Sequence, residues 1–291
     1  MLDARLSEAA GYLPVQLRGM LEQLTHAEQQ YCEEIRLRIG QPLTVTLRGK
    51  ERTLTGKIVT GAELEDTLGR ATEYSMHTFA DSLRQGFITV HGGHRIGVCG
   101  QTAVQDGTIL SFRHISSLNI RVARQIAGAA DQTLLAQLRE GDVLYNTLIL
   151  SPPGRGKTTL LRDISRQLSD DGVRVSLADE RSELAALYHG APQLDIGRHT
   201  DVIDGCPKAQ AAMMLVKTMS PQLLVLDEIT AEADVRAAES AAHCGTAVLA
   251  SAHAWDMDDF RRRPLYRRLL DTGIFSRIFC MEQDRTVRRV M

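Results

Sequence analysis

Aromatic side chains are scarce in this sequence: one Trp, six Tyr and six Phe among 291 residues, 4% of the chain. A groove for single-stranded nucleic acid needs stacking platforms or a basic surface. The formal charge of −2, from 34 Lys and Arg against 36 Asp and Glu, gives no bulk attraction to nucleic acid or to an anionic membrane, and no nucleic-acid partner is expected. Long apolar runs are missing too. The longest, near residues 246–252, falls far short of the ~20 residues that span a bilayer, and residues 1–12 carry acids where a signal peptide has a basic start, so a cytoplasmic location is expected. The five cysteines (Cys32, Cys99, Cys206, Cys244, Cys280) are odd in number and widely spaced, with no C-x-x-C pair. That pattern argues against a disulfide framework or a zinc site, and they read as reduced, mostly buried small residues. Glycine (23) and proline (8) are too few for collagenous or low-complexity sequence. What is left is a globular chain long enough for one large or two modest domains.

Two grammars divide it. In residues 34–45, Ile35, Leu37 and Ile39, then Leu43, Val45 and Leu47, alternate across Gly40-Gln41-Pro42, a period of two that predicts a β-hairpin. Residues 61–85 switch to helical spacing (Leu64, Leu68, Ala71, Phe79, Leu83). Residues 87–90, 96–104 and 108–112 read as strands joined at His91-Gly92-Gly93 and Asp106-Gly107, with His91 and His94 as turn residues. This half is expected to be a smaller α+β domain. Further on, short continuous apolar runs at 147–150, 173–178, 223–226 and 247–251 alternate with helical segments, the signature of a parallel sheet covered on both faces. The fold class is therefore α/β, a parallel-sheet domain preceded by the α+β domain. The expected boundaries are an N-terminal domain 1–128, a linker 129–142 holding a short helix at 131–138, and a nucleotide domain 143–291 that closes in a hairpin (275–281 and 286–291) around Gln283-Asp284-Arg285.

Ser151-Pro152-Pro153-Gly154-Arg155-Gly156-Lys157-Thr158-Thr159 follows the strand ending at Leu150 and opens a helix through Leu160, Leu161, Ile164 and Leu168. That strand, loop and helix context is the one a phosphate loop requires, so the α/β domain is expected to be a RecA-like P-loop domain. Pro153, Gly154, Arg155, Gly156, Lys157, Thr158 and Thr159 are expected to cradle the phosphates of ATP. The glycines turn backbone N–H groups toward the anion, Lys157, an exposed loop lysine on this reading, reaches the β and γ phosphates, and Thr158 Oγ holds Mg²⁺. The general motif G-x-x-x-x-G-K-[ST] begins with Gly where this chain has Ser151.

Other strands deliver charge to the same sheet edge, where open α/β sheets bind ligands. The strand 223–226 ends in Asp227-Glu228: Asp227 suits an indirect contact to Mg²⁺ and Glu228 can polarise the attacking water. The strand 173–178 ends in Asp179-Glu180-Arg181, which makes Glu180 a second candidate base and Arg181 its ion-pair partner. The strand 247–251 leads to His253, placed to sense the γ-phosphate.

The order of these four elements resembles the bacterial secretion ATPases, whose Walker A, acidic box, Walker B and histidine box run in this sequence; their Walker B strand commonly ends Gly-Glu, where this chain has Asp227-Glu228. A closer match covers nearly the whole chain: "EEIRLRIGQPL" from Glu33, "LRQGFITVHGGHRIGVCG" from Leu83, "RHISSLNIRVAR" from Arg113, "SPPGRGKTTLLRDISRQL" from Ser151, "ADERSELA" from Ala178 and "TDVIDGCPKAQAAMMLVKTMSPQLLVLDEI" from Thr200. On these strings the chain resembles the stage III sporulation protein AA family. Departures are Ala211-Ala212 where members often carry Glu-Gly, and Thr230 where they have Gly. The resemblance implies an ATPase of the mother cell that serves a transenvelope channel to the forespore. It also implies a homo-oligomeric ring, a hexamer, held peripherally at the mother-cell side of the membrane by a membrane-anchored channel protein of the same operon.

In such rings an arginine of a neighbouring N-terminal domain stabilises transition-state charge. Arg121 and Arg124, in a strand read over 119–124 and taken to point to one side, are the candidates, Arg121 first. Two other readings remain at this stage. A RecA-type nucleic-acid translocase would have to rely on Arg261-Arg262-Arg263 with Arg267-Arg268, a cluster set among Asp256, Asp258, Asp259 and Asp271. An ATP-gated assembly switch with little turnover would have no need of positioned bases such as Glu228 and Glu180.

Overall fold

A computed structural model describes residues 2–75, 79–282 and 284–291. Contacts divide the chain into one unit of residues 1–124 with 187–193 and another of 125–186 with 194–291.

The first unit opens with three short helices, α1 Ala4–Ala10, α2 Val15–Met20 and α3 His26–Gln30, none of which the sequence reading foresaw. Six strands follow: β1 Cys32–Arg38, β2 Pro42–Leu47, β3 Lys50–Ile58, β4 Phe87–Thr89, β5 Arg95–Gln105 and β6 Thr108–Arg121. They form one antiparallel sheet in the order β3-β2-β1-β6-β5-β4. The expected β1–β2 hairpin is present, and Asp106 and Gly107, with φ of 49° and 76°, supply the two left-handed positions that a tight two-residue turn between β5 and β6 demands. Helices α4 Gly61–Ala71 and α5 Ala80–Arg84 occupy the region read as helical; residues 76–78 of it lie outside the described residues. Thr60 and Glu63 cap α4 reciprocally, satisfying backbone N–H groups that would otherwise lack partners. Leu6, Leu13, Leu17, Ile35, Leu37, Leu64, Ile88, Ile96 and Ile120 fill the core beneath the sheet. His94 is no turn residue: it is fully buried, and its Nδ1 accepts the Ala123 N–H at 3.0 Å.

The second unit contains α6 Gln132–Leu138, the antiparallel pair β7 Arg139–Glu140 and β8 Val143–Leu144, then β9 Thr147–Ser151, α7 Lys157–Asp170 and β10 Val175–Asp179. The chain next contributes the hairpin β11 Leu187–Tyr188 and β12 Ala191–Pro192 to the first unit. It returns with β13 Thr200–Asp204, α8 Lys208–Met219, β14 Leu223–Leu226, α9 Glu232–His243, β15 Ala247–His253, α10 Met257–Arg262, α11 Pro264–Asp271, β16 Arg277–Met281 and β17 Val287–Arg289. The sheet runs β13-β10-β14-β15-β9-β16-β17; it is parallel from β13 to β16, and only β17 is antiparallel. Every residue of β9, β10 and β14 is buried, as expected for strands covered on both faces.

Three expectations need correction. The segment 129–142 is not a linker: α6 buries Leu134, Leu135 and Leu138 and belongs to the second unit, whose boundary falls at Arg124/Gln125. The cysteines are not mostly buried: Cys32 and Cys280 are, Cys206 is half-buried, and Cys99 and Cys244 are exposed. The terminal hairpin forms between β16 and β17, but Gln283 of its turn lies outside the described residues.

Candidate nucleotide site

Because β9, β10, β14 and β15 run parallel, their C-terminal ends arrive at one edge of the sheet, with His253 opposite Ser151 and Ala250 opposite Leu226 in the register. After Ser151 the chain turns through Gly154 (φ 74°) and Gly156 (φ 100°), conformations that a side chain at either position would strain, and α7 begins at Lys157. No side chain caps α7, so the N–H groups of its first turn are left for another acceptor. Ser151 does not have positive φ: it is fully buried at the strand end and its Oγ donates to Pro152 O at 3.1 Å, so the loop has no need of glycine there.

Lys157 is not an exposed loop lysine. It is 6% exposed; burial lowers the pKa of its amine, and the nearby Glu228, Asp227 and Glu183 carboxylates act in the opposite direction. Nζ donates to Ser151 O at 3.4 Å and Pro152 O at 3.3 Å, and lies 2.7 Å from His253 Nδ1. A protonated amine can only donate, so Nδ1 accepts and the imidazole proton sits on Nε2, which faces Glu228 Oε1 at 2.8 Å. The amine, imidazole and carboxylate thus form one chain.

Asp227 is held by two hydroxyls, Thr158 Oγ1 donating to Oδ2 at 2.9 Å and Ser251 Oγ to Oδ1 at 3.0 Å. Glu228 has φ of 55°, a left-handed backbone costing ~1–3 kcal/mol for a residue with a side chain. Its N–H is tied to Ser251 Oγ at 3.0 Å, and its carboxylate reaches Arg181 Nη1 at 3.6 Å as well as His253. Arg181 therefore pairs with Glu228, and Glu180 pairs instead with Lys208 at 3.4 Å.

The acidic turn after β10 is built on Asp179, which accepts the N–H groups of Glu183, Leu184 and Ala185 at 2.8, 3.0 and 2.9 Å. Burial nonetheless pushes its carboxyl up to about 6. Arg162 of α7 fixes the same turn from below by donating to Leu184 O and Glu183 O, each at 2.6 Å.

Lys157, Thr158, Asp227, Glu228, His253 and Arg181 are thus brought together, with Glu180 at the margin and Pro153 exposed on the loop. Arg121 and Arg124 do not share a face. The strand ends at Arg121, which is exposed and opposite Glu34, whereas Arg124 is committed to Asp3 at 3.1 Å and to Gln29 O at 2.6 Å. The arginine cluster of α10 and α11 meets its own acids: Arg263 pairs with Asp259 at 2.9 Å, Arg261 with Asp258 at 3.9 Å and Arg268 with Glu232 at 2.6 Å.

The donor set suits a metal-bound nucleotide. A threonine hydroxyl already engaged with a strand-end carboxylate is the hard-oxygen pairing that Mg²⁺ selects, and a buried amine resting on backbone carbonyls can turn to an anion. Among the described residues no cluster of His, Cys, Asp and Glu forms an all-protein metal cage.

Sequence reasoning missed Lys208. Nζ is buried, 4% exposed, and donates to Asp227 O at 3.0 Å and to Glu228 O. One signal was available: Lys208 is the first residue of α8, where the helix dipole disfavours a cation and another source of negative charge must offset it.

This fold is similar to that of two solved proteins, an ATPase and a pilus retraction motor. The ATPase DotB of Legionella pneumophila superposes with a TM-score of 0.61 at 17% identity, over 96% of this chain and 80% of that one. The pilus retraction motor PilT, solved with bound ADP, gives 0.56 at 14% identity, over 90% and 77%. Residues 4–291 match the family model "Sporulation stage III, protein AA", and the chain belongs to that family. It is 38% identical over 278 residues to stage III sporulation protein AA of Bacillus subtilis (strain 168), covering 94% of this chain and 89% of the relative.

Proposed function

We propose that this chain is a Mg²⁺-dependent ATP hydrolase that assembles as a hexameric ring at the mother-cell face of the membrane, docks on a membrane-anchored channel protein of its operon, and powers or assembles a transenvelope channel during sporulation. The observation that carries the reading is the convergence of Lys157, Thr158, Asp227, Glu228 and His253 at one sheet edge. The loop N–H groups and Lys157 bind the phosphates, Thr158 and Asp227 hold Mg²⁺, and Glu228 orients the attacking water. The metal, when bound, neutralises charge on the β and γ phosphates. A phosphate that draws on Lys157 competes with His253 for the amine, so the state of the loop reaches Glu228 through a single imidazole.

A translocase reading gains no support from the arginine cluster, three of whose five members, Arg261, Arg263 and Arg268, are paired with acids. The decisive measurement is phosphate release by the purified protein with Mg²⁺ and ATP, beside Lys157→Ala, with molar mass followed in a nonhydrolysable analogue. Lys157→Ala removes a desolvated amine and leaves the fold intact, so its melting temperature stays close to wild type while turnover falls on the order of 10²–10³-fold. Wild-type turnover in that variant removes the phosphate-loop assignment.

A further inference from the structure

Glu228 is an awkward residue to hold in place. Its left-handed backbone is unfavourable for a residue with a side chain, it lies two residues beyond the last residue of β14, and its carboxylate is 21% exposed. Ser251 grips the peptide on its N-terminal side. The carbonyl of that same peptide, Asp227 O, and the carbonyl of Glu228 on its C-terminal side both accept from one ammonium, Lys208 Nζ, which arrives from the N-terminus of α8 and is almost fully removed from water. A desolvated cation persists only where its donors are satisfied, and Lys208 also has the Glu180 carboxylate at 3.4 Å and Asp234 at 3.8 Å. Asp234 in turn accepts the N–H groups of Thr230 and Ala231 at 2.9 and 3.0 Å, closing the turn that follows Glu228. One ammonium thus joins three pieces of chain at the site: the acidic turn after β10, the end of β14 and the start of α9.

We infer that Lys208 is the positioning residue of Glu228, fixing the two carbonyls that set the direction of that carboxylate and tying them to Glu180. The inference rests on the hydrolase reading and deepens it. Lys208 touches backbone and neighbouring carboxylates, so its effect passes through Glu228. An ammonium with several acceptors suits this place because neutral side chains of similar length lack the charge to gather two carbonyls and two carboxylates at once.

The test is a double-mutant cycle on the full chain with Lys208→Met, Glu228→Gln and the pair, reading turnover at saturating Mg²⁺ and ATP together with the affinity for a fluorescent ATP analogue. Misplacing a catalytic group by about 1 Å costs on the order of 10²-fold, so Lys208→Met should lose about that much turnover with affinity kept within about twofold. Because it acts through Glu228, the pair should be no more than about twofold slower than Glu228→Gln alone. Wild-type turnover in Lys208→Met, a multiplicative loss in the pair, or a loss of affinity as large as the loss of turnover each overturns the inference. If Lys208→Met does not melt cooperatively, Lys208→Gln, which keeps an amide donor, takes its place in the cycle. Failure of both to fold makes Lys208 a structural ion and also overturns it. Absence of turnover in the wild type, or wild-type turnover in Glu228→Gln, instead sinks the hydrolase reading, and the inference falls with it.

Discussion

Two glutamates compete for the role of base, and their surroundings separate them. Glu228 lies in the chain that runs through His253 to Lys157, so it faces whatever the phosphate loop holds; Glu180 is 40% exposed and turned to Lys208. Glu228→Gln keeps the shape and a hydrogen-bonding end but gives up the charge that orients water, so nucleotide affinity should survive while turnover falls ~10²–10⁴-fold. Glu180→Gln weakens one contact of Lys208 and should cost less. Parallel phosphate-release assays on the two variants decide the point, and a larger loss at Glu180 reverses the assignment. Glycine spacing, lysine and strand-end acids were legible in the sequence because each has one dominant chemical use. The pairing was not: Arg181 lies beside Glu180 along the chain yet reaches Glu228, because Lys208 takes the Glu180 carboxylate.

At the level of elements, burial of one imidazole gives the first unit a pH dependence. His94 on the segment before β5 accepts the Ala123 N–H just after β6, which requires an unprotonated Nδ1; its Nε2 lies 3.6 Å from Glu8 of α1. Burial lowers its pKa from 6.5 to about 4, the Glu8 carboxylate only partly opposing this. The folded state then binds fewer protons than the unfolded chain between these values, so the contribution is complete above pH 6.5 and is lost as pH falls toward 4, up to ~3 kcal/mol. Urea unfolding at pH 7 and pH 5 should show a larger acid loss for wild type than for His94→Gln; equal losses would show that His94 has no part in it. The same histidine marks where sequence reasoning stops. Beside Gly92-Gly93 it reads as a turn, and only the approach of α1 and the Ala123 peptide makes it core. Strands with clear alternation or continuous apolar runs were legible. Besides the two-residue strands β7, β8, β11 and β12, two were missed for physical reasons: β3, Lys50–Ile58, is charged and mostly exposed, and β13, Thr200–Asp204, is a half-exposed edge strand with acids at two of five positions. The helices α1 to α3 are five to seven residues long, too short for a 3.6-residue period to register.

For the whole molecule, the chain passes between the two units three times, at 124/125, 186/187 and 193/194, so the segment after β6 and both ends of the hairpin of β11 and β12 are covalent links between them. That hairpin follows the acidic turn built on Asp179 and is fastened within the first unit, where Tyr188 OH donates to Glu73. On the hexameric-ring reading proposed above, one copy completes the site of the next. Arg121 is the residue we propose for this: it is exposed at the end of β6, three residues before the boundary, with Glu34 opposite it in the register. A guanidinium supplied to a neighbour only on closure makes turnover depend on assembly, and loss of such an arginine costs on the order of 10³-fold or more. Mixing distinguishes this from an effect within one chain. Lys157→Ala subunits keep Arg121 and lack the loop lysine, and Arg121→Ala subunits have the reverse. Each population alone should be nearly inactive, and mixed rings should recover part of the ATPase activity, because some junctions then join an intact loop to an intact arginine. If co-assembly is demonstrated by molar mass and no activity returns, Arg121 does not act across the subunit junction.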